Sequence, residues 1–190
     1  MLSQHKDRVA RVADPLARRL LQWRIRPNQL TLLGFVSSGV AAIGFARGRL
    51  RLAAAFLILA GVLDILDGAL ARSAGQVTPF GAFLDSVIDR YSDLAVLLGL
   101  AILFLRLEST QGLTLTLATL VGTIMVSYTR ARAESIGATC EVGLMERGER
   151  MIVLIAGALF HLLIPALWLL ALLTNLTAVQ RIYHTWRVTR

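Results

Sequence analysis

The chain has 190 residues, of which 56% are apolar and 17% charged, whereas a soluble domain carries about 25% charged residues. Its mean hydropathy is +0.65. These values exclude a disordered chain, a collagen-like chain and a typical soluble enzyme, and they indicate a membrane protein. The net charge of +8 would also suit a nucleic-acid partner. In so apolar a chain we instead expect no nucleic acid, with the basic residues at cytoplasmic helix ends near anionic lipid.

The first 26 residues form a polar, basic segment without an apolar run of signal-peptide length. Within it, Pro15–Ile25 predicts a short amphipathic helix that Asp14 can cap. A basic helix of this kind tends to lie in the membrane interface; packing on the domain as a soluble helix is the alternative. We therefore expect two parts, an N-terminal segment of residues 1–26 and a membrane domain of residues 27–190.

Six apolar segments follow in chain order and predict an all-α integral membrane protein with six transmembrane helices. Asn28 is expected to cap the first helix, directly after Pro27. The last apolar stretch runs about 45 Å as a helix, too long for one span, so we divide it near Pro165. The segments are Leu30–Ala46, Leu52–Arg72, Gly81–Leu105, Leu113–Arg132 and the two halves of Met151–Gln180.

The basic residues predict the orientation of these helices. All but four of the 20 Lys and Arg residues lie on the side of the two termini. The positive-inside rule therefore places both termini in the cytoplasm and predicts a multi-pass protein of the cytoplasmic membrane. Arg47, Arg49 and Arg51, between the first two spans, argue against this orientation.

Four aspartates lie inside segments that are otherwise apolar enough to span. Each would cost about 2.5–3.5 kcal/mol at the centre of a bilayer. Asp64 and Asp67 share one helix face at i, i+3, and Asp85 and Asp89 share another at i, i+4. Because the two helices run antiparallel across a short loop, we expect Asp64 beside Asp89 and Asp67 beside Asp85, in a cavity open to the cytoplasm. Asp93 continues the second face and is expected to bond a ligand or Arg90.

Four carboxylates this close cannot all stay ionised unaided. Two divalent cations would neutralise them, and ligation by oxygen alone suits Mg²⁺ or Mn²⁺. Two-metal sites serve phosphoryl transfer, whereas a cation or proton transporter is the non-enzyme alternative. Gly68 leaves room for a ligand, Gly81 opens the third span close to the loop, and Arg72 is placed to meet phosphate. Helix packing is the alternative for the two glycines, and positive-inside charge is the alternative for Arg72.

The stretch from Asp64 to Asp89 resembles the signature of the CDP-alcohol phosphotransferase family, D-x2-D-G-x2-A-R-x8-G-x3-D-x3-D. Every fixed position and every gap is present. The resemblance implies a homodimeric membrane enzyme with six transmembrane helices and a site facing the cytoplasm. It also implies attack by an alcohol on the β-phosphorus of a CDP-linked lipid such as CDP-diacylglycerol, with release of CMP.

The resemblance also implies roles for individual residues. Asp64, Asp67, Asp85 and Asp89 would hold the two Mg²⁺ or Mn²⁺ ions, and Asp89 would also take the proton from the attacking hydroxyl. The CDP-lipid would be bound by residues of the first span and of the signature, which are Pro27, Asn28, Gln29, Thr31, Gly68, Arg72, Thr78 and Gly81.

Three further pieces are similar to the bacterial phosphatidylinositol-phosphate synthase branch, which joins inositol 1-phosphate to CDP-diacylglycerol. They are D89-R-Y-S-D93, S127-Y-T-R130-A-R-A-E134 and E146-R-G-E-R150. The cations of the second half suit an acceptor that is itself a phosphate ester. The expected acceptor-phosphate residues are Ser127, Arg130, Arg147, Arg150 and Arg181. For Arg147, ordinary positive-inside loop charge is an equal alternative.

Other substrates fit the same chemistry. The glycerol-phosphate branch often shows D-P-x2-D-K at the third and fourth acids, where this chain has Ser86 and Arg90. Glycerol 3-phosphate or another polar alcohol is therefore the second choice of acceptor. An archaeal-type lipid donor also stays open, because lipid tails leave little trace in a sequence.

Overall fold

The computed structural model describes residues 26–75 and 78–190, together with Leu16, Arg19 and Leu21. Those two ranges fold into six α-helices and contain no strand, which confirms the all-helical prediction. The helices are α1 (Pro27–Ala46), α2 (Leu50–Ser73), α3 (Pro79–Arg106), α4 (Thr110–Ser135), α5 (Arg147–Leu159) and α6 (Leu163–Val188). The interfacial helix expected at Pro15–Ile25 lies, apart from three isolated positions, outside the described residues and stays a prediction.

Four of the helices, α1, α2, α4 and α6, are long and apolar enough to cross a membrane. The other two differ from them in composition or length. The 28 residues of α3 include Asp85, Asp89, Arg90 and Asp93. The 13 residues of α5 reach about 20 Å, less than the ~30 Å thickness of a bilayer core.

The start of α1 differs from the prediction. Pro27 is its first residue, and the residue that precedes the helix is Arg26, whose backbone N–H donates to Oε1 of Gln29 at 2.9 Å. Proline suits the first helical position because its missing N–H would have no partner there. Asn28 therefore lies inside the helix, and the expectation that it caps α1 was wrong.

The long apolar stretch near the C-terminus breaks slightly earlier than predicted. α5 ends at Leu159 and α6 begins at Leu163, so Pro165 is the third residue of α6. A proline here removes no intrahelical hydrogen bond, and residue 161, four positions earlier, lies outside the helix. The division of this stretch into two helices is confirmed, with Pro165 just after the break.

Each helix packs closely against two others, and these pairs close a ring in the order α1, α2, α5, α6, α4, α3. Although α2 and α3 are consecutive, their described backbones make no close contact, and α1 packs against both. Small residues allow some of these approaches: a side chain at Gly99 would collide with the backbone of Ala42, and one at Gly122 would collide with Thr174.

The main apolar cluster lies away from the aspartates. On α2 it uses Ala53, Ala54 and Leu57, near the start of the helix, and on α3 it begins at Val96. The aspartates occupy the later part of α2 and the early part of α3. The ring therefore has an apolar half, which contains the main apolar cluster, and a charged half, which contains the aspartates.

Candidate active site

Three of the four signature aspartates come together inside the ring. Asp64, Asp67 and Asp85 each offer a carboxylate oxygen, and these oxygens all lie within 4.8 Å of one another. Helix periodicity aims Asp64 and Asp67 inward from α2, and Asp85 faces them from α3. Three carboxylates in such a cluster are a donor set that hard divalent cations such as Mg²⁺ and Mn²⁺ favour.

The hydrogen bonding of these acids also fits a cation. Asp67 is buried, and its Oδ2 accepts a hydrogen bond from Oγ1 of Thr31 at 2.8 Å. Oδ1 of Asp85 is buried and has no hydrogen-bond partner among the residues that the structure describes. A buried carboxylate oxygen without a donor costs free energy that a bound cation would recover. The aspartate cluster therefore fits a metal centre.

The fourth signature acid, Asp89, reaches this cluster through an arginine. Nη1 of Arg147 lies 2.8 Å from Oδ1 of Asp64 and 2.9 Å from Oδ1 of Asp89. One nitrogen thus contacts an acid of α2 and an acid of α3. The two acids lie on either side of this nitrogen, which agrees with the matched depth predicted for them. Asp89 is consequently not among the three acids that share the 4.8 Å cluster.

A second ion pair lies one helical turn beyond Asp89. Nη2 of Arg150 is 2.6 Å from Oδ2 of Asp93; Arg150 is buried and Asp93 is partly buried. Nε of Arg147 also approaches Asp93, at 3.8 Å. The expected partner Arg90 instead donates to the backbone oxygen of Ser86. Of the two alternatives expected for Asp93, the bond to Arg90 is therefore wrong, because Arg150 reaches Asp93 from across the ring; the contact with a ligand stays a prediction.

A cleft of about 970 Å³ opens beside the acids. Asp85 and Asp89 lie on one wall, and all five residues that the sequence predicted for the acceptor phosphate also line it. Those five are Ser127, Arg130, Arg147, Arg150 and Arg181. The fold thus brings α3, α4, α5 and α6 to one cavity in which carboxylates face arginines.

The arginines of this cleft differ in how far protein groups already satisfy them. Arg130 is partly exposed and pairs with Glu134 at 2.8 Å and with Glu146 at 4.0 Å. Surface ion pairs of this kind contribute little to stability. Arg130 can therefore exchange its partners for an incoming anion at small cost.

Arg181 is held much more firmly. Its side chain is 3% exposed, its Nε donates to the backbone oxygen of Val142 at 2.8 Å, and its Nη1 donates to that of Val126 at 2.6 Å. Val142 belongs to the connection 136–146 between α4 and α5. Arg181 therefore fastens this connection to α4 and α6, a contribution that sequence reasoning did not foresee.

Thr177, one turn before Arg181 on α6, fastens the same connection. Its Oγ1 accepts hydrogen bonds from the backbone N–H groups of Leu144, at 3.3 Å, and Met145, at 3.2 Å. It donates to the backbone oxygen of Leu173. The connection that leads into α5, and so the position of Arg147 and Arg150, depends on α6.

The residues predicted to bind the CDP-lipid are spread over the first turn of α1, the end of α2 and the start of α3. Thr31 contacts Asp67 directly, whereas Pro27, Asn28 and Gln29 form the first turn of α1, with Asn28 and Gln29 exposed.

The remaining CDP-lipid residues lie where α2 ends and α3 begins. Gly68 lies one turn before Arg72, and a Cβ at Gly68 would come within 3.3 Å of Nη1 of Arg72. Thr78 caps α3 by accepting a hydrogen bond from the N–H of Gly81 at 3.0 Å. Thr78 and Gly81 therefore stabilise the start of α3.

Two acidic residues of the cleft were missed. Glu134 and Glu146 line it and pair with Arg130, and Glu146 also lies 3.9 Å from Nη2 of Arg181. Both stand in the sequence pieces that resemble the inositol-phosphate branch. The signal was therefore present, but only the arginines of those pieces were interpreted.

A family model of CDP-alcohol phosphatidyltransferases matches residues 24–185. The chain belongs to this family. Membership confirms the family predicted from the Asp64–Asp89 signature and makes the protein an enzyme. It also displaces the transporter hypothesis, which rested on the intramembrane acids alone.

Named relatives cover almost the whole chain. It is 40% identical over 185 residues to the archaetidylinositol phosphate synthase of Pyrococcus horikoshii, spanning 97% of this chain and 96% of that protein. The crystal structure of Mycobacterium tuberculosis phosphatidylinositol phosphate synthase with CDP-DAG bound aligns with a TM-score of 0.85 at 36% identity. That alignment covers 93% of this chain and 94% of the other. The same enzyme in complex with manganese and citrate aligns at 0.83 and 35%, covering 92% and 88%.

Proposed function

We propose that the protein transfers the lipid phosphate of a CDP-linked lipid to inositol 1-phosphate, giving a lipid inositol phosphate and CMP. The observation that carries the acceptor assignment is the cleft in which Asp85 and Asp89 face arginines of α4, α5 and α6. A phosphorylated acceptor needs cations beside the reacting centre, and arginine suits phosphate because its fork can donate two hydrogen bonds. Relatives named for inositol phosphate products support the same acceptor.

In the proposed reaction, a hydroxyl oxygen of the acceptor forms a bond to the β-phosphorus of the CDP-linked lipid. The bond from that phosphorus to the oxygen bridging the two phosphates breaks, and CMP leaves with this oxygen. Asp89 accepts the proton of the attacking hydroxyl. Its place at the edge of both the acid cluster and the acceptor cleft supports this assignment.

We assign Asp64, Asp67, Asp85 and Asp89 as the ligands of two Mg²⁺ or Mn²⁺ ions. When bound, such ions neutralise the carboxylates, stabilise charge on the phosphoryl oxygens and make the acceptor hydroxyl easier to deprotonate. The three-aspartate cluster and the unpartnered oxygen of Asp85 support this assignment. Thr31 orients Asp67 through its hydrogen bond.

We assign the CDP-lipid to the opposite side of the acid cluster, where α1 begins and α2 ends. Gly68 leaves the space next to Arg72 free of a side chain, so a phosphate or ribose can approach there. The other residues proposed for this end are Pro27, Asn28, Gln29, Thr31, Thr78 and Gly81. The proposed acceptor-phosphate residues remain Ser127, Arg130, Arg147, Arg150 and Arg181, of which Arg150 and Arg181 also hold the cleft together.

The donor is the less determined substrate. The chain is similar both to an archaetidylinositol phosphate synthase and to a phosphatidylinositol phosphate synthase. We propose CDP-diacylglycerol, with the archaeal-type CDP-lipid as the alternative. Both lipids carry the same CDP group, so the residues proposed for this group suit either donor.

One assay tests both substrates. Purified protein with Mg²⁺ or Mn²⁺ is given each CDP-lipid with inositol 1-phosphate, inositol or glycerol 3-phosphate, and the lipid product is identified by mass. We expect CMP release and a product only with inositol 1-phosphate. Product with glycerol 3-phosphate alone would overturn the acceptor assignment. Asp85→Asn is the matched inactive control, because it removes one charge from the acid cluster at nearly constant shape.

We propose six membrane crossings, with both termini and the site on the cytoplasmic side, in the domain 27–190 of a homodimer. The excess of Lys and Arg on the side of the termini supports this orientation. Single cysteines introduced at residues 4 and 188, in a Cys140→Ser background, should react with a membrane-impermeant maleimide only after the cells are opened. Labelling in intact cells would refute the orientation. Chemical cross-linking in native membranes tests the dimer.

A further inference from the structure

Arg147 lies between the acid cluster and the acceptor cleft. It is the first residue of α5 and lines the small cavity beside Asp64, Asp67 and Asp89 as well as the large acceptor cleft. Its guanidinium is mostly buried, and a single nitrogen, Nη1, contacts both Asp64 and Asp89. Its Nε is buried and, within the described part of the chain, has no hydrogen-bond partner. Arg147 thus belongs both to the acid cluster and to the acceptor side.

The guanidinium of Arg147 lies against two of the proposed metal ligands. A cation held by Asp64 and Asp89 would lie close to Nη1, because Nη1 contacts Oδ1 of both carboxylates. A guanidinium and a divalent ion in direct contact with the same carboxylates would also repel each other strongly in a site with little water. Arg147 and a divalent ion therefore weaken each other's binding to Asp64 and Asp89.

The surroundings give Arg147 an alternative position. Arg130, Arg150 and Ser127 line the acceptor cleft, and Arg147 borders this cleft from the start of its helix. A rotation about side-chain torsions of a residue in the first turn of a helix requires no change in the backbone of α5. In the cleft its fork would meet the phosphate of an acceptor.

We propose that Arg147 and the metal ions compete for Asp64 and Asp89, and that metal binding moves Arg147 into the acceptor cleft, where it binds the acceptor phosphate. Arg147 thereby links the two halves of the site: the acceptor phosphate binds tightly only after the metal has released this arginine. The competition rests on the metal ligands assigned in the proposed function, and the phosphate part rests on the proposed acceptor as well.

The first test measures metal binding alone, without turnover. Mn²⁺ affinity is determined by the electron paramagnetic resonance signal of the free ion, for the wild type and for Arg147→Gln in detergent. We expect Arg147→Gln to bind Mn²⁺ about tenfold or more tightly, because it removes a charge-assisted competitor. Arg130→Gln is the matched control: it removes the same charge from the same cleft but touches none of the metal acids, so its affinity should change by less than about threefold.

The second test measures the coupling between metal and anion. Binding of inorganic phosphate is followed by calorimetry with and without Mn²⁺, and the ratio of the two affinities is the coupling, which must be reciprocal. In the wild type, Mn²⁺ should strengthen phosphate binding. In Arg147→Gln this strengthening should shrink at least about fivefold, whereas Arg130→Gln should weaken phosphate binding and keep the coupling.

The outcomes separate this inference from the proposed function. Mn²⁺ affinity that is unchanged or weaker in Arg147→Gln overturns the competition, and equal coupling in both proteins overturns the movement into the cleft. Neither result depends on which alcohol is the acceptor. If Arg147→Gln does not fold, Arg147→Met is measured instead: it removes the charge and keeps an unbranched apolar side chain, and Mn²⁺ affinity no tighter than wild type overturns the proposal.

Discussion

The acids and the arginines of the site come from different halves of the chain and are held in different ways. Asp64, Asp67 and Asp85 stand on α2 and α3, within 26 positions that contain the whole signature. The arginines come from α4, α5 and α6, more than 50 positions apart at their extremes. The acids are left with an unpartnered oxygen, whereas Arg150 and Arg181 are fully engaged by the protein.

This contrast teaches what each half contributes. The acid half is a preformed group of carboxylate ligands that suits a divalent cation. In the arginine half, Arg150 and Arg181 are held by Asp93 and by backbone oxygens, whereas Arg130 and Arg147 are bound to acidic side chains and can change partners more easily. Acceptor binding must therefore rely on exchange of partners, which makes it the more adaptable part of the reaction.

The largest expected effect belongs to the acid half. Asp89→Asn should lower turnover about 10²–10⁴-fold, because it removes the proposed proton acceptor, while binding of the CDP-lipid falls far less. Turnover is measured as CMP release and binding as retention of labelled CDP-lipid. If donor binding falls as far as turnover, Asp89 acts only in holding the donor.

A large loss of stability is expected where the arginine half holds itself together. Arg150→Met removes the contact at 2.6 Å and leaves Asp93 only the longer contact with Arg147; it should destabilise the fold by about 1.5–3 kcal/mol, seen as a lower thermal midpoint in detergent. The double change Arg150→Met with Asp93→Leu removes both charges and should recover much of this loss. Equal stability of wild type and Arg150→Met would show that this pair does not support the ring.

A moderate effect on one substrate is expected at the exposed edge of the arginine half. Arg130→Gln should raise the acceptor KM about tenfold, the equivalent of one charge-assisted hydrogen bond, and leave the CDP-lipid KM unchanged. Steady-state kinetics with each substrate varied in turn provide the measurement. A change confined to the CDP-lipid KM would place Arg130 on the donor side. The arginine half would then not be the acceptor side.

The smallest expected effect concerns the connection before α5. Thr177→Val removes an acceptor from two backbone N–H groups and should cost about 1–3 kcal/mol, with a raised acceptor KM because Arg147 and Arg150 shift. Thr185→Val is the matched control: Thr185 lies on the same helix and only donates to the backbone oxygen of Arg181. Equal losses for both variants would mean that the connection is not held by Thr177.

The acid half could be predicted because it depends on helix geometry alone. Spacings of three and four residues fix a shared helix face, and the fixed gaps of the signature place both pairs at one depth, where Arg147 indeed bridges Asp64 and Asp89. The helix count was predictable for the same reason, since long apolar runs and prolines are local features. The assignment of metal, CDP-lipid and acceptor contacts stays a prediction.

The arginine half was predictable as a set of residues but not as a set of contacts. Arg150 meets Asp93 from 57 positions away, and Arg181 meets Val142 and Val126 from across the ring. Such contacts depend on which helices are neighbours, and the ring order of six helices cannot be obtained from periodicity. For the same reason Arg147, which the sequence could not distinguish from ordinary loop charge, proved to contact two of the signature acids.

The separation of the ring into an apolar half and a charged half has a consequence for how this enzyme can change. Residues such as Ala54 and Leu100 pack the membrane domain without approaching the carboxylates. Substitutions among them can therefore adapt the protein to hotter surroundings or to a thicker bilayer while the spacing of the aspartates stays constant. The residues that can adapt the protein to a different membrane are therefore not the ones that carry out its reaction.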